Sequence, residues 1–262
     1  MIDIGANLAH ESFDSDRAAV LERAWAAGLS HILITGSSRA SNRAALALTR
    51  LAPQRLWATA GVHPHHASEW DEEDARLIRE LARDPRLVSL GECGLDYFRD
   101  LSPRADQQRA FEAQLALAAE LGKPLFLHQR DAHDDFLALL KTWRARLGPV
   151  VVHCFTDTRA ALRDYLALDC HIGITGWVCD TRRGQALRDC VADIPDDRLL
   201  VETDAPYLLP HNAPRTAHRR NEPALLGYVV QALAAARDQS TEHVARISAA
   251  NARACFELPD EA

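Results

Sequence analysis

The sequence predicts a single α/β domain spanning residues 1–262, built as one (β/α)8 barrel of parallel strands. Three observations predict it. Short apolar, β-branched runs recur eight times, and an amphipathic or Ala/Leu/Arg-rich stretch follows each one. No Pro/Gly-rich linker, low-complexity segment or sequence repeat divides the chain, as a doubly wound sheet with a second domain would require. A length of 262 residues is also common for one such barrel.

The first strand, 2–7, carries Ile2 and Ile4 and ends in polar residues, and helix 14–27 follows it. Strand 31–36 leads to helix 39–52, and strand 56–62 to helix 71–83. Strand 87–92 precedes the long helix 104–121, and strand 124–128 precedes helix 132–146. Strand 150–154 with helix 157–168, strand 171–176 with helix 181–193, and strand 199–203 with helix 223–237 complete the alternation. A last helix, 241–256, has Ser240 and Thr241 as its candidate caps.

Composition narrows the function classes. Hydrophobic residues make up 47% and charged residues 26%, the balance of a globular chain with a substantial core. No apolar run is long enough to cross a bilayer, and the N-terminus lacks a signal-peptide pattern, so no membrane partner and a cytoplasmic location are expected. The six cysteines form no C-x-x-C pair and read as reduced thiols. The formal charge of −7 argues against a long footprint on duplex nucleic acid, but not against a site that grips one or two phosphates.

In such barrels the active site lies at the C-terminal ends of the strands. Strand three closes with GVHPH, placing His63 and His65 there, and strand four with GECGLD, placing Glu92 and then Asp96. Strand five ends on His128, followed by Gln129, Arg130 and Asp131; strand six presents His153; strand eight gives Glu202 and Asp204. One histidine at a strand end is more often a hydrogen-bonded core residue than a ligand. His31 and His171, at strand beginnings, take that reading, and His10, His133, His211, His218 and His243 carry little individual signal. Five polar strand ends at one barrel mouth are different, because burying them together is costly unless a divalent ion satisfies them. Glu92, His128 and His153 come from three adjacent strands and are the expected principal ligands, with Asp204 ligating, orienting the attacking water or taking its proton. Imidazole suits Zn²⁺ and Mn²⁺ while carboxylates suit Mg²⁺ and Mn²⁺; Mg²⁺ is the expected ion, with Mn²⁺ or Zn²⁺ as alternatives.

As a set these strand ends resemble the TatD family of metal-dependent deoxyribonucleases, within the amidohydrolase-like barrels. The matching stretches are GVHPH (61–65), GECGLDY (91–97), HQRDA (128–132), HCFT (153–156), GITGWVCD (173–180), ETDAPYL (202–208) and RRNEP (219–223), in order over nearly the whole chain. The resemblance implies a divalent-metal-dependent 3′–5′ exonuclease acting on single-stranded DNA, with RNA as a further substrate. It implies Glu92, His128 and His153 as metal ligands, Asp204 as the catalytic aspartate and His63 as the active-site histidine after strand three. The DIGANL start resembles the branch that lacks the first-strand His-x-His found in other members: Gly5 and Asn7 stand at those positions. Gly5 offers no ligand and Asn7 only a neutral amide, so one well-held ion is expected, with a second arriving weakly or with substrate phosphate.

In the expected reaction His63 hydrogen-bonds the phosphate or assists the departing oxygen, and His65 is a weaker candidate for the same work. Arg130, Arg215, Arg219 and Arg220 are candidates for phosphate grip, because guanidinium forks match phosphate oxygens; Asn7 is a further substrate contact. Trp177 and Phe155 are candidates for stacking on a base. A monomer is expected. The competing readings are an amidohydrolase or lactonase acting on a small molecule, and a non-catalytic nucleic-acid-binding barrel. Many such hydrolases bridge two metals with a carbamylated lysine, but the only lysines, Lys123 and Lys141, lie away from strand C-termini. The intact set Glu92, His128, His153 and Asp204 argues against lost catalysis.

Overall fold

The computed structural model describes residues 1–214 and 219–260. Its strands are β1 (Ile2–Ala6), β2 (His31–Ile34), β3 (Leu56–Ala60), β4 (Leu87–Asp96), β5 (Leu125–Arg130), β6 (Val150–Val152), β7 (His171–Ile174) and β8 (Leu199–Val201). They form one eight-stranded sheet in chain order, every hydrogen-bonded neighbour parallel. Helices α1 (Arg17–Ala26), α2 (Arg39–Leu48), α3 (Glu72–Leu81), α4 (Arg104–Leu121), α5 (His133–Trp143), α6 (Arg159–Ala167), α7 (Gln185–Cys190) and α8 (Leu226–Ala236) alternate with the strands. A final helix, α9 (Thr241–Phe256), follows, its N-terminus capped by Ser240, which accepts the His243 amide at 3.1 Å. The chain thus forms the (β/α)8 barrel that its alternation predicts.

The first and last strands meet at the barrel mouth. The Asp204 amide donates to the Gly5 carbonyl at 2.8 Å, and the Asn7 amide to the Ala205 carbonyl at 2.7 Å. Ile2 and Ile4 of β1 and one residue from each of five further strands, Leu33, Val88, Phe126, Val151 and Leu200, pack together with Ala249, Ala252 and Phe256 of α9. Burial of each large apolar side chain contributes about 1.5–3 kcal/mol. Asn251 of α9 donates to the carbonyls of Asp196 and Leu199, at the start of β8, and so fixes that helix beneath the strand beginnings. With that end filled, the opposite end is left for polar side chains.

Beneath the β1–β8 seam lies a fully buried carboxylate, Asp3, which accepts the Thr203 amide at 2.9 Å and the Gly5 amide at 3.2 Å. Burial raises its pKa to about 7, against the hydrogen bonds from Thr203 and Gly5 that pull it down. The sign of the consequence follows from linkage. Between about pH 4 and pH 7 the folded chain keeps a proton on Asp3 that the unfolded chain has released, so this residue's contribution to stability falls as pH rises through that window. Metal-stripped wild-type protein should therefore lose more stability from pH 4 to pH 8 than the Asp3→Asn variant, by up to about 4 kcal/mol. Denaturant melts of both proteins across this range measure the difference, and parallel curves would refute it.

Candidate active site and metal centre

β4 runs on to Asp96 rather than stopping at residue 92, with a register shift against β5 between Leu90 and Cys93. Close approach makes this course specific to glycine: Gly94 has φ +145°, and a Cβ there would lie 1.9 Å from the His128 carbonyl oxygen. The tight β4–β5 contact brings Glu92 beside His128. Three imidazoles then converge on a single oxygen, Glu92 Oε1: His153 Nε2 at 2.8 Å, His128 Nδ1 at 2.9 Å and His63 Nε2 at 3.2 Å.

Charge at this cluster is decided by a contest between burial and pairing. Burial opposes ionisation of Glu92, yet the imidazoles of His63, His153 and His128 gathered on it hold its carboxyl well below the usual range. Burial likewise opposes charge on His153, but Glu202 and Glu92 lift its pKa well above the ordinary value; Asp96 and Glu92 lift that of His128. His63 goes the other way: burial lowers it to about 4, so its ring is neutral at pH 7. Its Nδ1 accepts the His65 amide at 3.1 Å, so the neutral ring carries its proton on Nε2 and points a donor into the site.

Two further carboxylates organise the rest. Asp96, buried, places Oδ2 2.9 Å from His65 Nε2 and 3.3 Å from His128 Nε2, while its Oδ1 accepts the amides of Phe98 and Arg99. Asp204 adopts a left-handed backbone conformation (φ 54°) just past β8, and its Oδ1 accepts a hydrogen bond from the Asn7 side-chain amide at 2.9 Å. Burial pushes the Asp204 carboxyl up to about 7; His153 pulls it down, and the charges of Glu92 and Glu202 add to the rise.

The donor chemistry fits a divalent ion. His63, Glu92 and His128 bring side-chain nitrogen and oxygen atoms within 4.8 Å of one another, and His153, on the same glutamate oxygen, offers an imidazole in place of His63, whose Nδ1 already accepts the His65 amide. Mixed imidazole and carboxylate donors around one buried point suit Mg²⁺, Mn²⁺ or Zn²⁺. Above the cluster opens a cavity of about 510 Å³ whose wall includes Asn7, His63, His65, Arg130, Trp177 and Asp204.

The family profile described as TatD related DNase matches residues 2–257. This chain belongs to the TatD-related DNase family. Over 260 residues, 99% of this chain and all of the relative, it is 52% identical to the 3′-5′ ssDNA/RNA exonuclease TatD of Erwinia billingiae strain Eb661. The solved structure of a TatD family hydrolase from Entamoeba histolytica superposes with a TM-score of 0.90 at 25% identity, covering 99% of this chain and 98% of that one. The TatD homologue YJJV from Escherichia coli K12 gives 0.89 at 28% identity with the same coverage.

Within this TatD-family site, the sequence candidates divide. Glu92, His128, His153, His63, His65, Asp204 and Asn7 are all brought to the cavity, where the Asn7 side-chain amide donates to Asp204. Arg130 lines the cavity with its guanidinium 3.9 Å over the Phe98 ring. Gln129 donates to Asp157. Arg219 lines a separate cavity with Thr181 and His211. Arg220 pairs with Asp16 at 2.7 Å and donates to the Ser12 carbonyl; it is not among the residues lining the main cavity. Arg215 and His218 lie outside the described residues. Trp177 lines the cavity, but Phe155 does not reach it. β6 ends at Val152 and the chain turns at Cys154 (φ 47°), which carries Phe155 inward to pack edge-on against Tyr165. Sequence reasoning missed Arg99 and Tyr207, both on the cavity wall; Tyr207, 51% exposed, was signalled only by the tyrosine of ETDAPYL.

Proposed function

We propose that the chain is a divalent-metal-dependent 3′–5′ exonuclease that hydrolyses phosphodiester bonds of single-stranded DNA and RNA. The observation that carries the proposal is the convergence of His63, His128 and His153 on Glu92 Oε1 with Asp204 at the same cavity. Membership of the TatD-related DNase family and the activity for which the Erwinia relative is named support the substrate and polarity. Glu92, His128 and His153 would hold the ion, taken as Mg²⁺. When bound, it supplies neutralisation of a phosphate oxygen and lowers the pKa of water.

The remaining work belongs to the chain's own side chains. Asp204, held by Asn7 at the cavity wall, orients the attacking water and accepts its proton. Neutral His63 presents an Nε2 proton and donates it as a hydrogen bond to the phosphate or the departing oxygen. His65 is fixed by Asp96 and is a secondary contact. Arg130 grips a neighbouring phosphate, and half-buried Trp177 offers a face for an unpaired base. With Gly5 giving no ligand atom and Asn7, whose Nδ2 donates to Asp204, offering only a neutral amide oxygen, the first strand gives a second ion little hold. Lys123 lies between α4 and β5 and Lys141 lies in α5, so neither is placed to bridge two metals as a lactonase-type site would need. We further take the whole chain to work as one domain, as a monomer, in the cytoplasm; the six free cysteines fit a reducing compartment.

Degradation of 5′-labelled single strands should yield a ladder shortened from the 3′ end, abolished by a chelator and restored by Mg²⁺. Products released only from internal positions, or degradation untouched by chelation, would sink the reading.

A further inference from the structure

We propose that Glu202 is a positioning residue: from inside the barrel its carboxylate fixes which nitrogen of His153 faces a bound ion. The inference rests on the reading of His153 as an ion-holding residue. Glu202 is fully buried just beyond β8, and its side chain reaches across β7 to the end of β6. There Oε1 accepts the Cys154 amide at 2.6 Å, and Oε2 lies 3.3 Å from His153 Nδ1. Room for it exists only because both strands flanking β8 carry glycine at that level. A Cβ at Gly5 on β1 would come within 2.5 Å of Oε2, and one at Gly173 on β7 within 2.7 Å of Oε1. The missing side chain at position 5, which removes a first-strand donor, is thus the space that the Glu202 carboxylate occupies.

The chemical consequence is a choice of tautomer. A carboxylate facing Nδ1 keeps the ring proton on that nitrogen, so the lone pair of the neutral ring lies on Nε2. Nε2 is the atom 2.8 Å from Glu92 Oε1. The Cys154 amide has no freedom to reverse its donor, so it fixes which end of the Glu202 side chain must accept. In Glu202→Gln the amide oxygen stays on Cys154, and the new NH₂ group faces Nδ1. That arrangement moves the ring proton to Nε2 and turns a ligand into a donor, with almost no change in volume.

The test is calorimetric titration of the metal-stripped full chain with Mn²⁺, without nucleic acid, beside kinetics on a labelled strand at increasing Mn²⁺. Glu202→Gln should raise the Mn²⁺ dissociation constant about 10–100-fold. Excess Mn²⁺ should recover most of kcat while KM for the strand stays within about twofold. Should that variant not fold, Gly173→Ala, whose Cβ would press on Glu202 Oε1 without removing the carboxylate, is measured in the same way and should weaken Mn²⁺ binding. An unchanged dissociation constant in a folded variant, or lost activity that excess Mn²⁺ does not restore, would overturn the positioning role. Failure of the wild-type chain to bind Mn²⁺ would instead overturn the ion-holding reading beneath it.

Discussion

Glu92→Ala is expected to lower metal-dependent cleavage by about three orders of magnitude or more, with no rescue at high metal concentration. Three imidazole nitrogens within 3.2 Å share its Oε1, so no neighbouring carboxylate can take over the position. Asp96 is committed to His65, His128 and two backbone amides, and Glu202 to His153 and Cys154. Removing Glu92 leaves His128 with Asp96, and His153 with Glu202, as its carboxylate partner, so the oxygen shared by the imidazoles is lost without a substitute. The variant should therefore bind Mg²⁺ or Mn²⁺ weakly or not at all. Isothermal titration together with single-strand degradation rates measures both parts, and retention of either tight binding or near-normal cleavage would contradict the role given to Glu92.

Asp204→Asn should lower kcat by about 10²–10⁴-fold while KM for a single strand changes little. The geometry favours a clean separation. The Asn7 amide can still donate to the oxygen of an asparagine at 204, and the backbone bond from residue 204 to Gly5 is untouched. What disappears is a carboxylate able to accept a proton. Metal affinity should fall less than in Glu92→Ala, because Asp204 stands at the edge of the cluster and makes no contact with Glu92 Oε1 among the described residues. Steady-state kinetics would contradict the assignment if kcat were within tenfold of wild type, or if the loss lay wholly in KM.

The barrel was legible because periodicity reports which face of each element is buried. The long helices α4 (Arg104–Leu121) and α9 (Thr241–Phe256) coincide with the ranges read from the sequence. β4 outran its expectation of 87–92 because Gly91 and Gly94, both at positive φ, let a bulged strand continue to Asp96. The expected helix 181–193 shrank to Gln185–Cys190, since Asp180 accepts the amides of Arg182 and Arg183 and holds that segment in a turn. That Glu92, His128, His153 and Asp204 gather at one cavity was legible because strand ends of a barrel converge by topology alone. Partners set by distant segments were not. Nothing local tells that Arg220 meets Asp16, that Asn7 donates to Asp204, or that Glu202 crosses β7 to His153.

Anomalous diffraction from crystals soaked in Mn²⁺ without nucleic acid tests the Glu92-centred site most directly. The expected result is one dominant peak about 2.0–2.3 Å from Glu92 Oε1 and from imidazole nitrogens of His128 and His153. A dominant peak away from Glu92, or two equally occupied ions with one held by Asn7, would contradict it.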